Sequence, residues 1–386
     1  MSKENHYIVL AKESTTNIMT NESTNLSKRL FSLDVFRGLT MFLLIAEAAG
    51  FHRSFGDYTE TNTVLHPLAE QLHHHSWNGL RFWDLIQPFF MFIVGVAMPF
   101  SLRKRLATGT RRSVTKHILR RCFLLFSFGV LLHCVYSKAL VWELWNVLVQ
   151  LAFTILIAYA IMNLPHRVQI YICLGILILT EILYRVYNPQ DPYIKGQSFG
   201  SWVDMLVMGK INGGGWVFIN FLPTAVHTVM GVICGQLLLT DKTAKKKLNS
   251  LLMWGAALLL LGYGMDLLGI TPIIKRIATT SFTLASGGWA LLALALFYWW
   301  IDIKGHKNKW LNIFAVVGTN SIFIYLFAET VGSQWFRGFG LIFTKGILAP
   351  LGVQEGLILV INSLVVLFMF WYITYFLDQK KVYFKI

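Results

Sequence analysis

Apolar residues recur along the chain in blocks of about twenty, separated by short polar or basic stretches. The blocks lie near 33–52, 84–102, 120–137, 143–162, 168–186, 216–240, 250–269, 280–302, 310–333 and 353–377. A helix of that length crosses a hydrocarbon core of ~30 Å. The pattern predicts an all-α polytopic membrane bundle of about ten transmembrane helices, with residues 29–386 forming one multi-span domain. Residues 1–28 are polar, rich in Ser, Thr and Asn, and read as a disordered cytosolic tail. They contain no apolar core before a small-residue cleavage site, so the first block is expected to remain as a signal anchor. Glu4, Glu13 and Glu22 also make the stretch a poor mitochondrial transit peptide.

Composition agrees with this pattern. The 386 residues are 55% hydrophobic and 14% charged, against about 25% charged in a globular domain. That excludes a water-soluble enzyme, a disordered chain and an ordinary nucleic-acid-binding domain. Lys and Arg number 34 against 19 Asp and Glu, and in a membrane protein the sidedness of those cations is what matters. With the N-terminus in the cytosol, 24 of the 34 fall on cytosolic segments and ten on the opposite side. Both termini are therefore expected in the cytosol. Cys122, Cys134, Cys173 and Cys234 all lie in apolar blocks without metal-ligand spacing and read as packing residues. Trp299, Trp300, Trp310, Trp371 and Tyr372 fall near block ends, where amphipathic rings favour the interface. Gly231 and Gly235, four apart, offer a neighbouring helix a close approach.

The chemistry is expected where polar residues interrupt apolar blocks, since a charge at membrane depth costs at least a few kcal/mol. Asp34 and Arg37 lie three apart on one helix face, as a local ion pair or as a polar contact for a ligand entering from the cytosol. Glu47 lies ten residues beyond Arg37, ~15 Å further along the helix, and needs a partner, water or a proton. The densest run spans 73–84, HHHSWNGLRFWD. Three successive histidines do not share a face and make a poor metal cage, so no metal site is assigned. One imidazole among them suits proton transfer, with Asp84 placed to orient it or to pair with Arg81. The other reading of this run is a hydrogen-bonded polar loop cap. Pro88 follows, bending the helix or freeing carbonyls. His133, His227, Glu143, Glu181, Asp266 and Glu329 are lesser candidates, each explained as well by helix-to-helix hydrogen bonding. The basic run from Arg103 to Arg121, including Arg120, serves topology and anionic lipid, or an anionic cytosolic ligand.

The segments RLFSLDVFRG at 29–38, HHSWNG at 74–79 and DLIQPFFMFIVG at 84–95 together resemble the transmembrane acyltransferase family of heparan-alpha-glucosaminide N-acetyltransferase. Its bacterial relatives carry labels of unknown function or of N-acetylglucosamine-related transport. Weaker similarity continues through NVLVQ at 146–150, Leu222 to Thr224 with Gly231, and GTNSIFIY at 318–325. The resemblance implies a helical bundle moving an acetyl group from cytosolic acetyl-CoA to a sugar or amino sugar across the membrane. It implies His74 as the catalytic base, oriented by Asp84, with Glu47 near the position of the family's Asn. Asp34, Arg37, Trp77, Asn78, Arg81, Arg120 and Arg121 are the implied contacts to donor or acceptor. Two departures stand out: IAEAA at 45–49 lacks the family's Asn, and Leu151 follows Gln150 where the family has Arg. Acetyl-CoA, the bilayer and a glycan acceptor are the expected partners, a homodimer is entertained, and a bacterial inner membrane is the expected location. An amino-sugar transporter and an inactive relative remain as alternatives.

Overall fold

The computed structural model describes residues 30–384 and 386. The stretch 1–28, expected to be a tail, lies outside them. Among the described residues every regular element is helical. The first helix, α1 (Phe31–Ala48), ends where Gly50 takes φ +90°, a left-handed conformation that suits glycine. The expected 33–52 block is therefore split. The Arg337 guanidinium donates to the Ala48 carbonyl from Nε (2.9 Å) and Nη2 (2.6 Å), supplying the last turn with a cation. Two short helices, α2 (Phe51–Thr59) and α3 (His66–Glu70), lead to a 3₁₀ turn at Phe82–Leu85 and then α4 (Ile86–Leu106). Pro88 sits in the first turn of α4, where a missing N–H costs nothing.

The chain continues through α5 (Arg111–Ser137), α6 (Val147–Ile161), α7 (His166–Tyr187) and α8 (Phe199–Met208). It then forms α9 (Phe221–Leu239), α10 (Ala244–Leu267) and α11 (Thr280–Phe297), the last extended by a π-helical turn at Tyr298–Ile303. The 310–333 block is not one straight helix. It bends by 73° between α12 (Lys309–Thr319) and the run that begins with α13 (Ser321–Phe327). That run passes through a π-helical stretch to α14 (Arg337–Leu348), and α15 (Glu355–Gln379) closes the chain. At the bend, Asn320 donates to the Val382 carbonyl (2.9 Å) and accepts from the Phe384 amide (2.9 Å).

Burial separates core helices from periphery. Two thirds (67%) of the most apolar window is buried in the spans containing α4 and α9, against 22%, 22% and 17% in α5, α7 and α10. The peripheral helices thus present apolar side chains outward, as lipid-facing helices do. Around the core, α4 crosses α9 at backbone distance: a Cβ at Gly95 would collide with the Thr228 carbonyl, and one at Gly231 or Gly235 with Phe92 or Val96. The close approach expected at Gly231 and Gly235 is realised. Cys122, Cys173 and Cys234 are buried among apolar neighbours, and all four cysteines are unbridged. Trp299, Trp300, Trp310 and Tyr372 are exposed near helix ends, whereas Trp371 turns inward and donates to Ile313 (3.1 Å).

Seven described helices are long and apolar enough to cross a membrane, and the bent pair makes eight. Two of the ten expected blocks correspond to helices outside that set. Asp34, Arg37 and Glu47 make α1 too charged, and α6 is only 15 residues long. Both are central rather than peripheral. A buried helix flanked by protein need be neither fully apolar nor full length.

Candidate functional site

The loop before α4 folds back on itself and fixes His74. The Trp83 amide donates to Gln71 O (2.9 Å), and the Gly79 amide donates to Ile273 O in the α10–α11 loop (2.8 Å). Asp84, buried in the 3₁₀ turn, accepts the backbone amides of His75 (3.1 Å) and Arg81 (3.0 Å) on Oδ2. This leaves Oδ1 facing His74, whose Nδ1 lies 2.9 Å away. Lys275 completes a triangle, its Nζ 3.1 Å from His74 Nδ1 and 3.7 Å from Asp84 Oδ1. Trp216 walls the triangle, its ring 5.6 Å from the imidazole and 5.4 Å from the ammonium. Burial, and secondly the Lys275 charge, pull the His74 pKa down from 6.5 to about 4 against the opposing pull of Asp84. Burial likewise brings Lys275 down to about 8, opposed by Asp84 and Glu47. The imidazole is therefore uncharged at neutral pH, which suits a proton acceptor.

The loop that presents Lys275 is pinned at several points. Asp266 accepts the Ile273 amide (2.8 Å), and Thr279 donates to Pro272 O (2.7 Å) while accepting from the Ile274 amide (3.0 Å). Asn220 donates to Arg276 O (3.3 Å) and accepts from Gln150 (2.5 Å). Gln150 in turn accepts from Gln87, one turn beyond Asp84 on α4. A chain of amides thus runs from the α10–α11 loop into the core.

At the other end of α4 lies a cavity of about 340 Å³, whose lining includes Arg37, Arg105, His117 and Arg121 at one end and Leu44, Phe90, Leu148 and Tyr325 deeper in. Arg37 pairs with Asp34 on its own helix. The Nε atoms of both Arg37 and Arg121 are buried without a hydrogen-bond partner among the described residues. An unpaired buried donor is costly, and both guanidinium side chains belong to the lining of the cavity. On α1 the lining follows Arg37, Met41 and Leu44, and the next residue on that face is Glu47. Glu47 is accessible although surrounded by protein, in electrostatic reach of Lys275, Glu329 and Arg337 and bonded to the Trp83 side chain. On α4, the face running from Arg105 through Ser101, Ala97, Val94 and Phe90 continues to Gln87, one turn after Asp84 in the preceding 3₁₀ turn. The cavity and the His74–Asp84 pair thus lie toward opposite ends of α4.

Of the residues singled out in the sequence, the fold brings His74 and Asp84 into contact, with Glu47 nearby on α1. It brings Arg37 and Arg121 to the cavity. Arg120, adjacent in sequence, is exposed and absent from the lining. The Arg81 guanidinium turns to Glu70 (2.9 Å), and only its backbone reaches Asp84. Trp77 packs against Gly215 and the Tyr184, Tyr193, Ile274 and Ile277 cluster, while Asn78 is exposed. The three successive histidines diverge: His73 abuts Gly56, His74 meets Asp84 and His75 abuts Gly79. Among the lesser candidates, His133, Glu143 and Lys210 form one ion-paired group at 2.7 Å, and Tyr136 donates to Glu329 (2.8 Å). His227 bonds Ser286 (2.8 Å), Glu181 accepts from Thr271 (3.0 Å), and Asp266 caps a loop. Lys275, Arg276, Trp216, Gln87 and Asn220 were not singled out. The one local signal for the first two is a Lys-Arg pair in a short loop between two apolar blocks.

Residues 29–270 match the family model described as heparan-alpha-glucosaminide N-acetyltransferase, catalytic. The heparan-alpha-glucosaminide N-acetyltransferase of Mus musculus is 32% identical over 107 residues, covering 28% of this chain and 14% of the mouse protein. The chain thus matches only a small part of that relative's length. Asp34, Arg37, Glu47, His74, Asp84 and Arg121 fall within the family match, and Lys275 falls beyond it.

Proposed function

The chain belongs to the heparan-alpha-glucosaminide N-acetyltransferase catalytic family, and from that premise we propose that it transfers an acetyl group from acetyl-CoA to a sugar or amino sugar across a membrane. The observation that carries this reading is the pairing, toward opposite ends of α4, of a cation-lined cavity with an imidazole–carboxylate pair. In this reading Arg37 and Arg121 bind the phosphates of the donor at the cytosolic face. The apolar throat past Met41, Leu44 and Phe90 accepts its extended arm. Acetyl-CoA supplies an activated thioester carbonyl. His74 takes the proton of the attacking hydroxyl or amine, and Asp84 stabilises the imidazolium that results. The new C–O or C–N bond replaces the thioester C–S bond, and the imidazolium gives its proton to the departing CoA thiolate. Trp216, beside His74, offers an aromatic wall to a sugar ring, and Glu47 lies within electrostatic reach of Lys275.

The topology that goes with this chemistry has ten passes, counting α1, α6 and the bent α12–α14 run, with both ends cytosolic. The surplus of Lys and Arg at the Arg37–Arg121 end supports it. A bacterial inner membrane is the location we assign.

A second reading, a transporter for such solutes, draws on the break at Asn320, since discontinuous helices line transport sites. Sealed vesicles with labelled acetyl-CoA outside and glycans inside separate the two. Labelled glycan inside is the expected result. Glycan movement with no label transferred would overturn the acyltransferase reading in favour of transport.

A further inference from the structure

His74 Nδ1 has two suitors and one in-plane position for a proton. Asp84 Oδ1, at 2.9 Å, can only accept from it. Lys275 Nζ, at 3.1 Å, donates to it when charged. If Nδ1 carries the proton and bonds to Asp84, Nε2 is left with its lone pair and can act as a base. If Nδ1 accepts from an ammonium, the neutral ring carries its proton on Nε2 and is no base at that atom. Lys275 is buried, 6% exposed, in a loop held by the Asp266, Thr279 and Asn220 hydrogen bonds. It therefore stays close to the ring.

We propose that Lys275 is a positioning residue that sets which nitrogen of His74 carries the proton: as an ammonium it locks the ring with its proton on Nε2, and on giving up its own proton it lets Nδ1–H bond to Asp84 and frees Nε2 to accept. The proton count balances. The change releases one proton from Nζ to solvent, and the ring remains neutral with its single proton moved from Nε2 to Nδ1. The groups facing His74 are Asp84, Lys275 and Arg276, with His52 from α2. Those facing Lys275 are Asp84, Glu47 of α1 and Arg276. The carboxylates hold the Lys275 proton on, while burial and Arg276 push it off, leaving a pKa of about 8, within reach of ordinary pH.

The tautomer is independent of the acyltransferase reading, whereas its consequence for rate rests on that reading. The test is therefore spectroscopic first. In full-length protein carrying ¹⁵N-histidine, with His74→Asn to assign the resonances, the protonated nitrogen of His74 should be Nε2 near pH 6.5 and Nδ1 near pH 9.5. In Lys275→Met it should be Nδ1 at both. The wild-type titration decides alone if the variant does not fold, and a tautomer unchanged across that range overturns the proposal. In the transfer assay, wild-type kcat/KM should rise about tenfold per pH unit below the Lys275 midpoint. Lys275→Met should lose that limb, and Lys275→Arg should stay low throughout. Parallel profiles for wild type and Lys275→Met would mean a merely structural lysine. Absence of transfer in every protein, with the tautomer switch intact, would count against the acyltransferase reading alone.

Discussion

At the His74 end of α4 the imidazole Nδ1 already has partners within 3.1 Å, whereas at the Arg105 end two buried guanidinium nitrogens have none among the described residues. The first arrangement is preorganised, with the imidazole held between its partners before any ligand arrives. The second leaves desolvated donors unpaired beside a cavity, at a cost in free energy. Preorganised partners mark the proposed catalytic end, and unpaired donors mark the proposed binding end. Substitutions should separate the two: at one end they should act on turnover, at the other on affinity.

The sharpest break in that comparison is His74→Ala. If His74 is the base, kcat for acetyl transfer falls by about 10²- to 10⁴-fold, with KM for acetyl-CoA nearly unchanged. Steady-state kinetics with labelled acetyl-CoA check it, and a large rise in KM with kcat preserved would move His74 to the binding end. Next in size is Arg121→Ala, which removes a charge-assisted contact worth about 1.5–3 kcal/mol and should raise that KM roughly 10- to 100-fold. Arg120→Ala is the control. Its side chain is exposed and lies outside the cavity lining, so equal effects from Arg120 and Arg121 would mean that the basic run acts as a diffuse field rather than through a site.

Neighbouring residues were the ones legible in the sequence. Asp84 follows His74 by ten positions, and the polar run before an apolar block already pointed to both. The helices themselves were written in the twenty-residue apolar blocks. What the blocks do not encode is where a helix breaks under distant contacts. The bend at Asn320 is tied by hydrogen bonds to Val382 and Phe384, 62 and 64 residues further on. Lys275 escaped for the same reason, since it meets His74 across 201 positions and nothing local to either residue announces the encounter. Arg120 and Arg121 read as one basic unit along the chain, and only the helical rotation of about 100° between them sends one outward and one into the cavity.

The smallest expected effect tests whether the His74 end is as desolvated as its partners imply. Burial and the Lys275 charge lower the His74 pKa to about 4 from the ordinary 6.5. Between those values the unfolded chain binds a proton at this position that the folded chain refuses. Stability therefore rises with pH across that window, and the contribution is lost as pH falls from about 6.5 toward 4. His74→Gln removes the titrating group, so its thermal unfolding midpoint should decline less steeply over the same range than that of wild type. The half-open position of the ring, 32% exposed in its side chain, keeps the difference small, because solvent screens part of the charge. Thermal melts of both proteins in the same detergent at pH 7, 6 and 5 give the slopes. Identical slopes would mean that the imidazole takes up its proton as readily in the fold as outside it, and the contrast between a dry, preorganised end and a cavity-lining end with unpaired donors would lose its first half.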